Sequence, residues 1–206
     1  NKTVAIVDTS EDQSLLTKVY TEKALEFIEA NHKKPFFAFI PHSAVHKPHY
    51  PLKSYHEKAK SSPLLKDYEY TKGQPNLNEV RNYVALMEEL DDSVGEVMAL
   101  LKKLKIDDNT VVMFLSDNGG LGVSEIQPLK GGKGGPPYEG HMRTPLVVRW
   151  PAAIPAGKTC NEIGITVDFL PTFASWCGGK LSSNKIDGLD ITEMFTEPEK
   201  AKSPHS

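Results

Sequence analysis

Apolar residues follow two patterns along the chain: long stretches with helical spacing, and short runs that are apolar at nearly every position. The stretches at 8–31 and 78–105 place apolar side chains on one face and charged ones opposite, which predicts two amphipathic helices. The runs at 35–40, 111–115 and 146–150 predict short strands, and the second run predicts a strand covered on both faces. Helices that alternate with such strands are typical of the α/β class.

One more helix is predicted after residue 165. Thr166–Cys177 is mostly apolar, with Thr166 as the predicted N-cap and Gly178-Gly179 as the stop. Pro171 is predicted to kink this helix. Asp168 lies in its first turn, where a carboxylate is most often a partner of the helix dipole, and a ligand role is the alternative.

The remaining segments are predicted to be loops or frayed ends. Pro51–Pro75 is rich in Lys, Ser, Pro and Tyr without a sustained period, which predicts a surface excursion over the cleft. The tail after Asp190 is polar, and its last few residues are predicted to fray. Cys177 is interpreted as a buried packing residue, and whether it pairs with Cys160 stays open.

Composition and charge narrow the class of partner. The 206 residues are 39% hydrophobic and 25% charged, which is ordinary for a globular protein with one sizeable core. No apolar run approaches the roughly 20 residues that cross a bilayer, so no membrane span is expected. The net charge of −3 and the lack of a basic stripe with aromatic residues argue against a nucleic-acid surface. The expected partner is a small molecule or a carbohydrate.

Oxygen ligands follow the strand predicted at 111–115. Asp117 and Asn118 offer hard oxygen atoms, and the glycines at 119 and 120 allow the backbone to approach closely or to take positive φ. Ligands in open α/β sheets gather beyond the carboxyl ends of strands, so this pair is positioned to bind a ligand. The alternative is a turn that closes a β-hairpin.

A basic, glycine-rich loop occupies residues 130–145, just before the next strand. Its glycines free the backbone to wrap an anion, and Lys133 and Arg143 supply positive charge. The spacing of a Walker A loop is absent. A disordered linker is the alternative, but the strand patterns on both sides disfavour it.

Three histidines follow the strand predicted at 35–40. His42, His46 and His49 can each ligate a metal, accept a proton or bind an anion. Their spacing across prolines is poor evidence for zinc, and each one alone is more commonly a surface or hydrogen-bonding residue. If both strands lie in one sheet, at least one histidine is expected to share an edge with Asp117 and Asn118 and to contact substrate.

Five motifs occur in one order along the chain: F-F-A-F-I-P-H-S-A-V-H-K-P, L-D-D-S-V-G-E-V, F-L-S-D-N-G-G, G-K-G-G-P-P-Y-E-G-H-M-R-T-P-L-V-V-R-W-P, and V-D-F-L-P-T followed by I-D-G-L-D. Taken together, they resemble the motifs of the type I sulfatases of the alkaline phosphatase superfamily. The resemblance implies an alkaline-phosphatase-like sandwich with a mostly parallel central sheet flanked by helices. It runs through nearly the whole chain.

The resemblance also implies roles for individual residues. In this family a formylglycine, made from the Cys or Ser of a Cys/Ser-x-Pro-x-Arg motif, attacks the sulfur of a sulfate ester, and Ca²⁺ polarises the sulfate oxygens. Asp117 and Asn118 resemble two calcium ligands, and Lys133 resembles the lysine that contacts the sulfate and the leaving-group oxygen. His46 resembles the histidine that assists departure of the alcohol. We expect His42, His49 and Arg143 to contact substrate.

The chain departs from the family pattern in several places. It has no Cys/Ser-x-Pro-x-Arg motif and lacks the paired aspartates of the family's first strand, since Asp91-Asp92 match a different motif. His141 stands where the family usually has a second Gly after Tyr-Glu-Gly. Residues 1–206 are therefore expected to be part of a single sulfatase catalytic domain that is incomplete at both ends, with the nucleophile-bearing N-terminal part and the C-terminal subdomain absent.

The expected function is hydrolysis of sulfate esters of a carbohydrate or aryl alcohol by the parent enzyme, with this chain alone inactive. One alternative is a phosphoester or phosphonate hydrolase of the same superfamily, and another is a non-catalytic anion-binding homologue. The resemblance alone implies an extracytoplasmic location, which would be periplasmic, secreted or lysosomal.

Overall fold

The structure is a computed structural model that describes residues 7–66, 68–69, 72–120, 124 and 127–205. Its helices and strands, in chain order, are α1 (Ser10–Ser14), α2 (Leu16–Asn31), α3 (Lys53–Ala59), α4 (Leu77–Lys103), β1 (Val112–Leu115), α5 (Glu139–Met142), β2 (Leu146–Arg149), α6 (Phe169–Trp176) and α7 (Thr192–Thr196). The described chain is thus an α/β structure. Its two strands form one sheet, in the order β1-β2.

The chain divides into two compact units. The first comprises residues 1–106 and 115–145, and the second comprises residues 107–114 and 146–206. Within the described ranges, no helix is long and apolar enough to cross a membrane.

Helix α4 is the central element of the first unit, and its prediction is confirmed. The side chain of Asn76 accepts a hydrogen bond from the Glu79 amide at 3.0 Å, which caps the helix start. One face of α4 packs against α2 and α3. The buried residues on α4 are Val84, Ala85, Leu86, Glu89, Leu90, Ser93 and Leu101.

The helix predicted at 8–31 is present, but it is divided at Leu15 into α1 and α2. Its buried face also differs from the predicted one. Leu15 and Phe27 were expected to point inward, yet they are 38% and 41% exposed. Ala24 and Ile28 of the predicted face are buried as expected, and Thr17 and Thr21 are buried in addition. The burial of Thr21 is offset because its hydroxyl donates to the Thr17 carbonyl at 2.7 Å.

The prediction of a surface excursion at 51–75 is wrong for residues 53–59, because they form α3, which packs on α4. Ala59 is fully buried against Val84 and Ala85. Tyr55 donates to the Asp92 carboxylate at 2.8 Å. Burial and this contact raise the pKa of Tyr55 to about 12. Residues 67, 70 and 71 of this segment lie outside the described ranges.

The strand predicted at 35–40 is wrong. Residues 35–40 form no strand, and the side chains of Phe37 and Phe39 are 73% and 76% exposed. An apolar run forms a strand only when a neighbouring strand completes its backbone hydrogen bonds. The composition of the run does not indicate whether such a neighbour is present. Strands are confirmed at 112–115 and 146–149, but Phe114 and Leu115 are 42% and 37% exposed, so the expected cover on both faces of β1 is wrong for the described chain.

In the second unit, α6 ends as predicted. Gly178 takes a φ of 63° and donates to the Ser175 carbonyl, while the Gly179 amide donates to the Ala174 carbonyl at 2.7 Å. This pair of bonds is a Schellman motif, which satisfies the last carbonyl groups of the helix. Pro171 stands in the first turn of α6, where a missing N–H costs no intrahelical bond.

Asp168 organises the start of this helix, and Thr166 does not cap it. The fully buried Asp168 carboxylate accepts hydrogen bonds from the Ile165 amide at 2.9 Å, the Leu189 amide at 2.9 Å and His205 Nε2 at 2.8 Å. Burial raises the pKa of Asp168, but these hydrogen bonds outweigh burial and hold the pKa below its usual value. Asp168 therefore ties the tail of the chain to the helix start.

The predicted fraying of the tail is wrong in the described range. Ile191, Met194 and Ala201 are buried, and Cys160 packs against them. Both cysteines are free, and Cys177 is exposed, so its interpretation as a buried packing residue is also wrong. The tail was misread because α7 contributes few apolar residues, which pack beside residues distant in sequence.

Candidate functional site

All seven candidate site residues belong to the first unit, but they lie on three different segments. The first segment follows β1. Asp117 is exposed and Asn118 is half-buried, so both side chains are placed to meet a ligand from solvent. The Ser116 hydroxyl donates to the Asn118 carbonyl at 2.9 Å, which shapes the turn. The next strand among the described residues is β2, which begins at Leu146, so the described part of the chain shows no hairpin closed by this turn.

The loop of residues 117–120 lies directly against the glycine-rich loop. The Gly119 amide donates to the His141 carbonyl at 3.0 Å, and the Gly140 amide donates to the Lys130 carbonyl at 2.8 Å. A β-carbon on Gly119 would stand 1.8 Å from the Gly140 oxygen. Glycine at 119 is therefore required by the close approach of two backbones.

The same contact brings the backbone of Lys133 against the loop that carries the candidate metal ligands. Its amide donates to the Gly120 carbonyl at 3.1 Å, two residues from Asn118. The Lys133 side chain is half-buried. Arg143 is exposed, and its Nη1 lies 3.4 Å from Glu139 Oε2, so this pair is a surface contact that leaves the guanidinium accessible. The alternative of a disordered linker is disfavoured by these backbone bonds.

The third segment carries the histidines, and His46 is its most exposed ring. His46 Nδ1 lies 2.5 Å from the Lys47 carbonyl oxygen. Because a carbonyl only accepts, Nδ1 carries the hydrogen, and Nε2 is the nitrogen left to meet a ligand. The Lys47 ammonium is paired with Glu79 at 2.6 Å, which fixes this segment to the first turn of α4.

His42 faces the interior. The Thr21 hydroxyl donates to Thr17 and lies 2.6 Å from the Ser93 hydroxyl, so Ser93 donates to Thr21. Ser93 then has only lone pairs left for His42 Nε2 at 3.3 Å, and Nε2 must be the donor. Burial lowers the pKa of His42, in keeping with a neutral ring. The ring is thus engaged in packing α2, α4 and the histidine segment together.

His49 and the loop after Gly120 meet on one tyrosine. The His49 ring packs edge-on against Tyr83, with 5.7 Å between ring centroids. The Tyr83 hydroxyl lies 3.1 Å from the Ser124 hydroxyl. Burial, followed by the charge of Lys47, lowers the pKa of His49. Tyr83 therefore links the histidine segment to Ser124.

Sequence reasoning missed the residues of α4 that support the site. Glu79 and Tyr83 are one helical turn apart, and they hold Lys47 and His49 respectively. In the helical pattern of residues 78–105, Tyr83 is only one of the apolar positions. Its hydroxyl, four residues from a carboxylate on the same face, was the available signal. The two segments converge on this helix and not, as expected, on the edge of one sheet.

A calcium ion fits the donors of this chain only in part. Asp117 and Asn118 supply oxygen donors of the type that Ca²⁺ prefers, but Ca²⁺ takes about six to eight oxygens. In the described ranges, no group of three or more His, Cys, Asp or Glu side chains is placed to hold a metal. The remaining ligands of any such site must come from elsewhere.

Comparison with known families finds a match that covers most of the chain. The sequence model of the family described as "Sulfatase" matches residues 4–179. N-acetylgalactosamine-6-sulfatase of Canis lupus familiaris is 34% identical over 186 residues, which is 85% of this chain and 32% of that protein. The chain thus spans about a third of the length of that curated relative.

Two solved structures are also similar to this chain over most of its length. The crystal structure of Ps i-CgsB in complex with k-i-k-neocarrahexaose has a TM-score of 0.77 and 30% sequence identity, over 92% of this chain and 40% of that one. PsFucS1 sulfatase from Pseudoalteromonas sp. gives a TM-score of 0.78 and 29% identity, over 98% and 38%. The described α/β structure therefore shares the fold of these proteins.

Proposed function

This chain belongs to the sulfatase family, and we propose that the protein of which it forms part hydrolyses sulfate esters of a carbohydrate or an aryl alcohol. The observation that supports this most is the hydrogen bond from the Lys133 amide to Gly120. It brings the backbone of Lys133 against the loop that carries Asp117 and Asn118, which supports a site where a cation and oxygen ligands act on a doubly charged oxyanion.

Lys133 and His46 are the proposed catalytic residues. Negative charge builds on the bridging oxygen as the S–O bond breaks, and a positioned ammonium stabilises that charge more in the transition state than in the substrate. We assign this role to Lys133. The Lys47 carbonyl holds His46 Nδ1–H, so a protonated ring presents Nε2–H to the departing alcohol.

Asp117 and Asn118 would hold Ca²⁺, with its other ligands supplied outside this chain. When bound, the ion supplies Lewis-acid polarisation of the sulfate oxygens. The formylglycine nucleophile is also expected outside these residues, since no Cys/Ser-x-Pro-x-Arg motif occurs here. The isolated chain is therefore expected to be inactive.

Arg143 and His49 are proposed to contact the substrate around the sulfate. Arg143 is exposed and can offer a fork of donors to an acidic or hydroxyl group. His42 would reach substrate only if its ring left Ser93 and Tyr20, so we rank it below these two. The neocarrahexaose bound to Ps i-CgsB supports a carbohydrate as the alcohol.

We also propose a domain organisation and a cellular location for the protein. We place the chain within a single catalytic domain with a mostly parallel central sheet, of which β1 and β2 are two strands. We place the protein outside the cytoplasm, in the periplasm, the lysosome or the extracellular medium. A phosphoester or phosphonate hydrolase ranks lower, because Asn118 stands where a two-zinc site would favour a histidine beside the aspartate.

The test uses the full-length protein with an aryl sulfate and the matched aryl phosphate, in the presence of calcium. We expect turnover of the sulfate, a fall of at least about a hundredfold for Lys133→Ala or His46→Ala, and no loss for the exposed control Lys18→Ala. Preference for the phosphate would overturn the assignment in favour of a phosphoester hydrolase. Anion binding without turnover would favour a non-catalytic homologue. Turnover by the isolated chain would refute the claim that this chain lacks part of the catalytic site.

A further inference from the structure

We propose that His141 is a positioning residue that holds Lys133 at a fixed distance from the loop of residues 117–120. This inference rests on the proposed function, because it concerns the lysine of the same site. No catalytic contact is assigned to His141 itself.

His141 contacts both loops at once. Its carbonyl accepts the Gly119 amide at 3.0 Å, and Gly119 follows Asn118 directly. Its side-chain Nδ1 lies 3.1 Å from the Gly132 carbonyl oxygen, and Gly132 directly precedes Lys133. One residue therefore spans the gap between the neighbour of a candidate metal ligand and the neighbour of the candidate catalytic lysine.

The direction of the side-chain bond is determined by its acceptor. Gly132 offers a carbonyl, so His141 Nδ1 must carry a hydrogen. That condition is met by the Nδ1–H tautomer and by the imidazolium ion, so the contact survives a change of charge on the ring. His141 is anchored in turn by its amide, which donates to the Tyr138 carbonyl at 2.9 Å in the first turn of α5.

The loop needs such a contact because it has few side chains of its own. Residues 131, 132, 134 and 135 are all glycine, and glycine loses more conformational entropy on ordering than any other residue. Lys133 stands in the middle of this run. A hydrogen bond from outside the run restricts the backbone on which the lysine is mounted, together with the Lys133 amide bond to Gly120.

The departure from the family motif at this position now has a physical interpretation. Glycine, which the sulfatase motif usually has here, carries no side chain and makes no contact with the Gly132 carbonyl. The imidazole of His141 adds this contact without closing the site, because the ring is half-buried against the loop. A displacement of about 1 Å at a catalytic group can cost on the order of a hundredfold in rate, so this restraint has kinetic consequences.

The experiment compares variants of the full-length protein. His141→Leu keeps the approximate bulk and removes the donor, whereas His141→Gln keeps an N–H donor. We expect His141→Leu to lower kcat about tenfold with a change in KM of less than about threefold, and His141→Gln to restore most of kcat. His32→Leu is the control, since His32 Nδ1 makes a similar contact with the Glu29 carbonyl at the end of α2.

A double-mutant cycle separates positioning from general destabilisation. In a Lys133→Ala background, His141→Leu should cause no further fall in kcat, because its effect acts through the lysine. An equal fall in both backgrounds would overturn the proposal and make His141 merely structural.

Amide hydrogen exchange of residues 130–141 provides a readout that is independent of activity. We expect faster exchange in His141→Leu and wild-type exchange in His141→Gln. Unchanged exchange in His141→Leu would overturn the proposed contact. If the full-length protein cleaved no sulfate ester, the proposed function would fail, and this exchange measurement would still decide whether His141 holds the loop.

Discussion

Gly119 and Gly140 approach each other so closely that a β-carbon on Gly119 would lie 1.8 Å from the Gly140 carbonyl oxygen. These residues are 21 positions apart in sequence. Their contact joins the loop after β1 to the glycine-rich loop. The relative placement of Asp117, Asn118 and Lys133 therefore depends on the absence of a side chain at 119.

Gly119→Ala should separate these two backbones. We expect the variant to lose about 1–3 kcal/mol of unfolding free energy, as overpacked sites generally do, and to lose activity in the full-length protein. Urea denaturation measures the first effect. Gly95→Ala is the matched control, because a β-carbon added at this exposed position of α4 would have nothing within 4 Å. It should stabilise by up to about 1 kcal/mol, since alanine favours helix.

Asp168→Asn should destabilise the second unit. An amide nitrogen would replace one of the oxygens that accept from Ile165, Leu189 and His205, so at least one buried donor would lose its acceptor. We expect a loss of about 1–3 kcal/mol at neutral pH by urea denaturation. Asp187→Asn, at an exposed position nearby in sequence, is the control and should be almost neutral.

The contribution of Asp168 to the unfolding free energy should also decrease as the pH falls. Its pKa in the folded chain is lowered from 3.8, so its stabilising contribution is complete above that value and disappears as the pH falls through the lowered pKa. The difference in unfolding free energy between wild type and Asp168→Asn should therefore shrink in strong acid. A difference that grew with acidity would contradict the hydrogen-bond assignment.

Glu89→Gln should show the opposite pH dependence. Glu89 is buried on α4, and burial raises the pKa of its carboxyl above 4.5, although the Leu52 amide at 3.5 Å partly opposes this. The contribution of Glu89 to stability is then complete below 4.5 and is lost as the pH rises through the raised pKa. Denaturation curves across this range should show that the glutamine variant lacks the decline, whereas the exposed control Glu96→Gln retains it.

Thr21 and Ser93 should be energetically coupled. Their hydroxyl oxygens lie 2.6 Å apart in the interface between α2 and α4. Thr21→Val or Ser93→Ala should each cost about 1–2 kcal/mol. The double variant should cost less than the sum by at least about 0.5 kcal/mol, because the second substitution removes a partner that is already lost. Strict additivity in urea denaturation would show that the hydroxyls do not interact.

The helices could largely be predicted from the sequence, because their pattern is repeated over several turns. Helix α4 lies within two residues of its predicted bounds, and α6 ends at the predicted glycines. The strand at 35–40 could not be decided in this way, since an apolar run does not reveal whether a partner strand is present. The burial of Thr17 and Thr21 on α2 was missed because polar residues are expected at the surface, whereas the Thr21 hydroxyl finds its acceptor within the helix.

The site, like the fold, could be predicted from the sequence only in part. The family resemblance assigned Lys133 to the same site as Asp117 and Asn118, and the bond from its amide to Gly120 agrees with closely spaced loops. The spacing of Glu79 and Tyr83 marks one face of α4, but it does not predict that these residues contact Lys47 and Ser124, and nothing in the helical pattern predicts the contact of Ser93 with His42. Those contacts depend on which turn of α4 faces each loop, and helical spacing alone does not specify it. The roles of the seven candidate residues stay predictions.

The most direct test of the central claim is a crystal structure of the full-length protein with a non-hydrolysable sulfate ester analogue and calcium. The account expects Lys133 Nζ and His46 Nε2 to lie within about 2.7–3.2 Å of oxygens of the same sulfate group, with Asp117 and Asn118 on the metal beside it. An analogue bound elsewhere, or a sulfate that contacts neither Lys133 nor His46, would contradict it.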